Sequence, residues 1–172
     1  MVRLTSFVAL CAACVVSGQL TALEASLAAI SSRVSVISNS VSAFPTAGGS
    51  SASAQAIHAQ ATGLVSAINA AVTPAKNTPV LDDTDATTLI DDFEEFIGDI
   101  FVTTINLVNR KAELQKLGVA STIATDLANL KAATKTFENA WVHVVPEDMA
   151  TMATGITSAV DFALETASAA FA

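Results

Sequence analysis

LTALEASLAAISSRVSVISNSVSAF, residues 20–44, decides the fold. Its apolar residues Leu20, Leu23, Leu27, Ile30, Val34, Ile37, Val41 and Phe44 are spaced alternately by three and four. That spacing holds one face of a helix for about seven turns, whereas a strand would need a period of two. Phe44-Pro45 ends the pattern, because a residue before proline avoids the helical region. Thr46-Ala47-Gly48-Gly49-Ser50-Ser51 then reads as a flexible loop.

The same period recurs along the chain. A second helix is predicted from about Ser53 to Val72, with Ile57, Ala61, Leu64, Ile68 and Ala71 on one face and Thr73-Pro74 as its stop. Asp82-Asp83-Thr84-Asp85 opens a third, where carboxylates can accept from orphan amides and favour the positive end of the helix dipole. Its stripe is Leu89, Ile90, Phe93, Ile97, Ile100, Phe101, Leu107 and Val108, and the pattern runs on to Leu117-Gly118. Gly98 is a candidate kink inside it. A fourth helix starts near Ser121 and carries Ile123, Leu127, Leu130, Thr134, Phe137, Trp141 and Val144 up to Pro146. Pro146-Glu147-Asp148 opens the last, buried through Met149, Met152, Ile156, Val160, Ala163, Ala167 and Phe171. The expected fold is all-α: a single bundle of about five amphipathic helices without disulfides.

Ahead of this bundle, Arg3 followed by the uncharged run Leu4–Val16 and by Val16-Ser17-Gly18 reads as a secretory signal peptide, residues 1–18, with residues 19–172 as the mature domain. The run is too short to span a bilayer, which needs ~20 apolar residues. Both cysteines, Cys11 and Cys14, fall inside it. Removing 18 of the 172 residues leaves 154, enough for one domain with a real core, and moves the formal charge from −8 to −9 as Arg3 is lost. So acidic a chain is a poor partner for nucleic acid or anionic membrane surfaces. No second run reads as a transmembrane anchor, and Thr166–Ala172 is shorter than a lipid-anchor tail. Release is therefore expected. No Asn-x-Ser/Thr acceptor is present. The Ser/Thr-rich stretches 31–42 and 46–53 are candidates for O-linked sugar.

Signs of catalysis are sparse. His58 and His143 each lack a second histidine nearby, and the mature chain has no thiol, so no metal or cofactor site is read. There is no Gly-x-Ser-x-Gly elbow and no phosphate-cradling glycine loop. His58 reads as a helix-surface histidine and His143 as capping or solvent-facing. Asp82–Asp99 holds eight carboxylates without a cation. It lacks the glycine turn of a calcium loop, so it reads as a solvated face plus a helix start. Arg110, Lys111 and Lys116 read as complementing the negative end of their own helix, with a carboxylate head group as the alternative. Phe93, Phe96, Phe101, Phe137, Trp141, Phe162, Phe171, Met149 and Met152 are the large apolar residues among many alanines. They are ordinarily core, but a bundle of this kind can also enclose a greasy ligand.

LVNRKAELQKLGV (107–119), then DLANLKA (126–132), the Asp82-Asp83-Thr84-Asp85 start and the Pro146-Glu147-Asp148-Met149 opening occur in one order. That ordered set resembles the fungal hydrophobic surface-binding protein A family, which includes cell-wall galactomannoproteins. The resemblance spans essentially the mature chain. It implies a secreted or wall-associated protein that adsorbs to hydrophobic surfaces or holds a fatty acid inside its bundle, with no catalytic motif to carry over. The expectation is thus a secreted, non-enzymatic binder of a fatty acid, another apolar ligand or a hydrophobic surface. A ligand-free structural wall protein is the alternative, and a lipid hydrolase a more remote one. The stripe residues expected to line an apolar site are Leu27, Ile30, Val34, Leu64, Ile68, Phe93, Ile97, Phe101, Leu127, Leu130, Phe137, Met152 and Ile156.

Overall fold

A computed structural model describes residues 4–172, with side chains from Gly18 onward. The cysteines' side chains and Arg3 thus lie outside the described residues, and the proposed cleavage after Gly18 is not addressed by them. Six α-helices follow one another: α1 (Leu4–Ala43), α2 (Ser51–Asn77), α3 (Asp83–Asn109), the short α4 (Lys111–Lys116), α5 (Ala120–Trp141) and α6 (Ala150–Phe171). A 3-10 turn, Glu147–Met149, leads into α6, and no strand occurs among the described residues.

The first stripe is buried from Leu23 to Phe44, with Leu20 half-buried. By length and composition Gly18–Ala43 would also qualify to cross a membrane, which the sequence reading did not count. Here its stripe is spent on packing: α1 lies against α2 and α3. The principal contacts continue α2–α5, α5–α6 and α6–α3, so the five long helices close into a ring, α1-α2-α5-α6-α3.

Capping fixes several ends. Ser50 accepts from the Ser53 amide at 3.1 Å to start α2, and Asp82 accepts from Thr84 and Asp85 to start α3. α2 does not stop at Thr73-Pro74 as expected. It runs three residues past Pro74, because Ala75 continues the buried stripe and Thr78 closes the last turn on the Pro74 carbonyl through both amide and hydroxyl. The long third helix also divides, at Arg110, giving six α-helices where five were expected. After α4, the Val119 amide bonds to Leu114 and that of Gly118 to Gln115. This Schellman closure requires a left-handed residue, supplied by Gly118 at φ 72°. On α6, Met152 and Phe162 are exposed rather than buried. The stripe that packs is Ala153, Ile156, Val160, Ala163, Ala167 and Phe171, which puts position 152 on the outer face.

Lys116 sits in the last turn of its own helix, α4, as expected, whereas Arg110 and Lys111 reach the ends of other helices. The Arg110 guanidinium donates to the carbonyls of Ser42 and Phe44, at the end of α1, as well as to Asn106. Lys111 donates to the Ala170 carbonyl at the end of α6. Both place a cation at a helix C-terminus. Between them Glu113 accepts from the Gly49 amide at 3.0 Å and from Lys116 at 3.4 Å, tying the α1–α2 loop to α4. Gly49 is required there, since a Cβ would sit 2.6 Å from the Phe44 ring. Burial pushes the Glu113 carboxyl up, but the Gly49 amide and Lys116 outweigh it and hold it below its ordinary range. A depressed carboxylate stabilises the fold above its unfolded pKa and loses that effect as pH falls through its folded pKa. Glu113→Gln is therefore expected to lower the melting temperature at neutral pH, with the deficit shrinking in acid. Thermal melts across the carboxylate range check this, and a constant deficit would contradict it.

Candidate functional site: an apolar tunnel with two buried carboxyls

The ring of helices does not pack solid. It leaves a partly open apolar cavity of about 100 Å³ along its axis, narrower than the ~300–1,000 Å³ usual for small-molecule sites. All five long helices contribute to the wall. α1 gives Ile30, Val34, Ile37 and Val41, and α2 gives Ile57, Ala61, Leu64 and Ile68. α3 supplies Phe93, Phe96, Ile100 and Leu107 with Thr103 and Thr104, while α5 and α6 supply the remainder. The lining is nearly all hydrocarbon because each helix turns its 3.6-period stripe inward.

Nine of the thirteen residues expected from sequence share this wall: Ile30, Val34, Leu64, Ile68, Phe93, Leu127, Leu130, Phe137 and Ile156. Four do not. Leu27 is buried in the core beyond the tunnel, and Phe101 is half-buried outside it. Ile97 and Met152 instead border a shallow surface groove between α3 and α6, with Glu94, Gly98, Gly155 and Ala159. Ile156 belongs to both the groove and the tunnel, so the wall is one side chain thick there.

One end of the tunnel is built of aromatic rings. Phe93 stacks on Trp141 with centroids 4.4 Å apart and lies 5.3 Å from Phe96 and 5.7 Å from Phe137. Offset stacking at these distances adds to plain burial.

Two carboxyls enter the wall from α5. Asp126 is 5% exposed, and both its oxygens lie 2.9 Å from Nδ1 of His58 on α2. His58 is therefore half-exposed and engaged, not merely a surface residue. Burial pushes Asp126 up, against the downward pull of His58. Glu138, one helical rise of twelve residues away (about 18 Å), is equally buried. Its Oε2 pairs with Lys135, which also reaches Asp161 of α6 at 3.2 Å. Burial and the Asp161 charge push Glu138 up, with Lys135 opposing. Sequence reasoning missed both carboxyls. The signal was present: Asp126 and Glu138 fall at stripe positions, three after Ile123 and three before Trp141. No cluster of three His, Cys, Asp or Glu among the described residues is placed to hold a metal.

A closed ring of amphipathic helices around an apolar tunnel defines an all-α bundle with an apolar interior. Residues 20–143 match the model of hydrophobic surface binding protein A, and the chain belongs to that family. Solved structures with the same fold include ligand binding domain 1 of the Penicillium marneffei MP1 protein complexed with arachidonic acids. It has a TM-score of 0.83 and 20% identity, over 90% of this chain and 99% of that one. AFMP4P in complex with palmitic acid is similar, with a TM-score of 0.82 and 22% identity over 89% and 99%. At such identities the likeness is one of fold. By sequence, no curated protein matches the chain.

Proposed function

We propose that this protein is a non-enzymatic binder that holds a fatty-acid-like lipid along its helical tunnel. The observation that carries this reading is the tunnel itself, apolar over nearly all its wall and contributed by five helices. Burying an alkyl chain gains ~0.8 kcal/mol per methylene, so a long chain needs few polar contacts to be held. The fold shared with domains complexed with arachidonic and palmitic acids supports it. The residues proposed to touch the chain are the nine tunnel residues named above. Adsorption to hydrophobic surfaces, which the family's description names, would use the same inward stripes once the ring opened. The apolar start of the chain supports residues 1–18 as a signal peptide, residues 19–172 as the working domain and secretion as its destination, with cell-wall association as a further proposal.

Native mass spectrometry of the mature domain, followed by organic extraction, tests the reading. A discrete added mass that extracts as a lipid, or that appears on incubation with long-chain fatty acid, is expected. A bare mass under both conditions overturns it and leaves a ligand-free structural role.

A further inference from the structure

Glu138, a residue of the tunnel wall, carries one buried side-chain oxygen that the protein does not satisfy. Glu138 is buried in the wall, and its two oxygens have different fates. Oε2 accepts from Lys135 at 3.3 Å. Oε1 is sealed from solvent without a hydrogen-bond partner. Of the buried side-chain atoms left so among the described residues, the others belong to Gln60, Trp141 and Ser168, none of which lines the tunnel. A buried acceptor without a donor is costly to keep, so a tunnel occupant that donates to it gains beyond hydrophobic contact.

The sign of the surroundings restricts what that occupant can be. The ionisable residues of the wall are Asp126 and Glu138, both acidic. Asp126 is engaged by His58 of α2 at the other end. Lys135 of α5 and Asp161 of α6 act on Glu138 from outside the wall. α1 and α3 bring only apolar and threonine side chains to the tunnel, and α2 only apolar ones. A carboxylate seated beside Glu138 would meet like charge, with no cation in the wall to offset it.

We propose that Glu138 is the head-group anchor of the tunnel, and that it selects long-chain amphiphiles whose head is a neutral hydrogen-bond donor over the carboxylate anion. An alcohol, an amide or a protonated carboxylic acid meets this requirement. The proposal rests on the lipid-binding reading above. A fatty acid satisfies it by bringing its proton: the O–H of one carboxyl donates to the oxygen of the other, and one hydrogen is shared between two groups that cannot both ionise at close range. Affinity for the acid must therefore fall as pH rises, whereas an alcohol donates at any pH.

The test compares 1-dodecanol with dodecanoic acid, by displacement of an environment-sensitive fluorophore from the full domain. At about pH 5 and about pH 8 the alcohol is expected to bind alike, and the acid about tenfold or more weaker at the higher pH. Glu138→Gln keeps an acceptor and removes the charge. It should recover about tenfold for the acid at the higher pH and leave the alcohol within about threefold. Glu138→Leu should weaken the alcohol about tenfold through loss of one net hydrogen bond. Should that variant not fold, the glutamine variant decides. Acid bound as tightly as alcohol at about pH 8, or a preference that Glu138→Gln leaves unmoved, overturns the anchor while leaving the tunnel reading intact. Failure of both probes to bind at either pH overturns the tunnel reading and the anchor with it.

Discussion

Trp141→Ala is expected to lower the unfolding free energy by about 3–5 kcal/mol. Trp141 is fully buried and stacks at 4.4 Å on Phe93, which in turn contacts Phe96 and Phe137. Truncation removes the transfer free energy of a large ring and leaves a void that its buried neighbours only partly fill. The amides of Leu81 and Val144 bear on the same end. Leu81 donates to the Val144 carbonyl at 2.9 Å and Val144 to that of Trp141, so the helix end and the α2–α3 connection share this anchor. Because Trp141 is the chain's one tryptophan, the variant is followed by far-ultraviolet dichroism in denaturant rather than by fluorescence. A loss under about 1 kcal/mol, of the size usual for a surface substitution, would mean that the aromatic cluster does not hold this end of the bundle.

Ala61→Phe is expected to weaken lipid binding about a hundredfold while keeping the fold. Ala61 is buried on α2 with its methyl in the tunnel wall. A phenyl ring there extends into space that is already vacant, unlike a ring forced into a filled core, where overpacking costs about 1–3 kcal/mol. Displacing about four methylenes of an acyl chain forfeits ~3 kcal/mol, on the order of a hundredfold in affinity. Binding titrations together with a thermal melt check this. A folded variant that binds as tightly as the parent would place the lipid elsewhere on the molecule.

The helices were readable because a buried face repeats every 3.6 residues. Ile57, Ala61, Leu64, Ile68 and Ala71 all turn inward, as their spacing requires. What was not readable depends on partners distant in sequence. Pro74 reads locally as a stop, and only the burial of Ala75 and the capping by Thr78 show why the helix continues. Met152 has the spacing of a buried residue but sits beside the true stripe, because the register of a helix against its neighbours is set by the whole contact, not by one apolar position. Nine stripe residues could be assigned to one tunnel since each stripe faces the bundle axis. Whether that axis is filled is a property of summed side-chain volume, which periodicity does not encode. Asp126 and Glu138 were lost for a simpler reason: a carboxyl at a stripe position reads as an irregularity until His58, 68 residues away, or Lys135 is seen beside it.

The order of helices around the ring divides the molecule into unequal tasks. α1 with α2, and α5 with α6, are sequence neighbours joined by short turns, so each hairpin closes at small entropic cost. α3 has no such partner: it lies between α1 and α6, the first and last helices of the chain. It is the keystone of an arch. Two hairpins resting on each other through α2 and α5 make only a trough, and the trough becomes an enclosed passage when this one helix is set between its open edges.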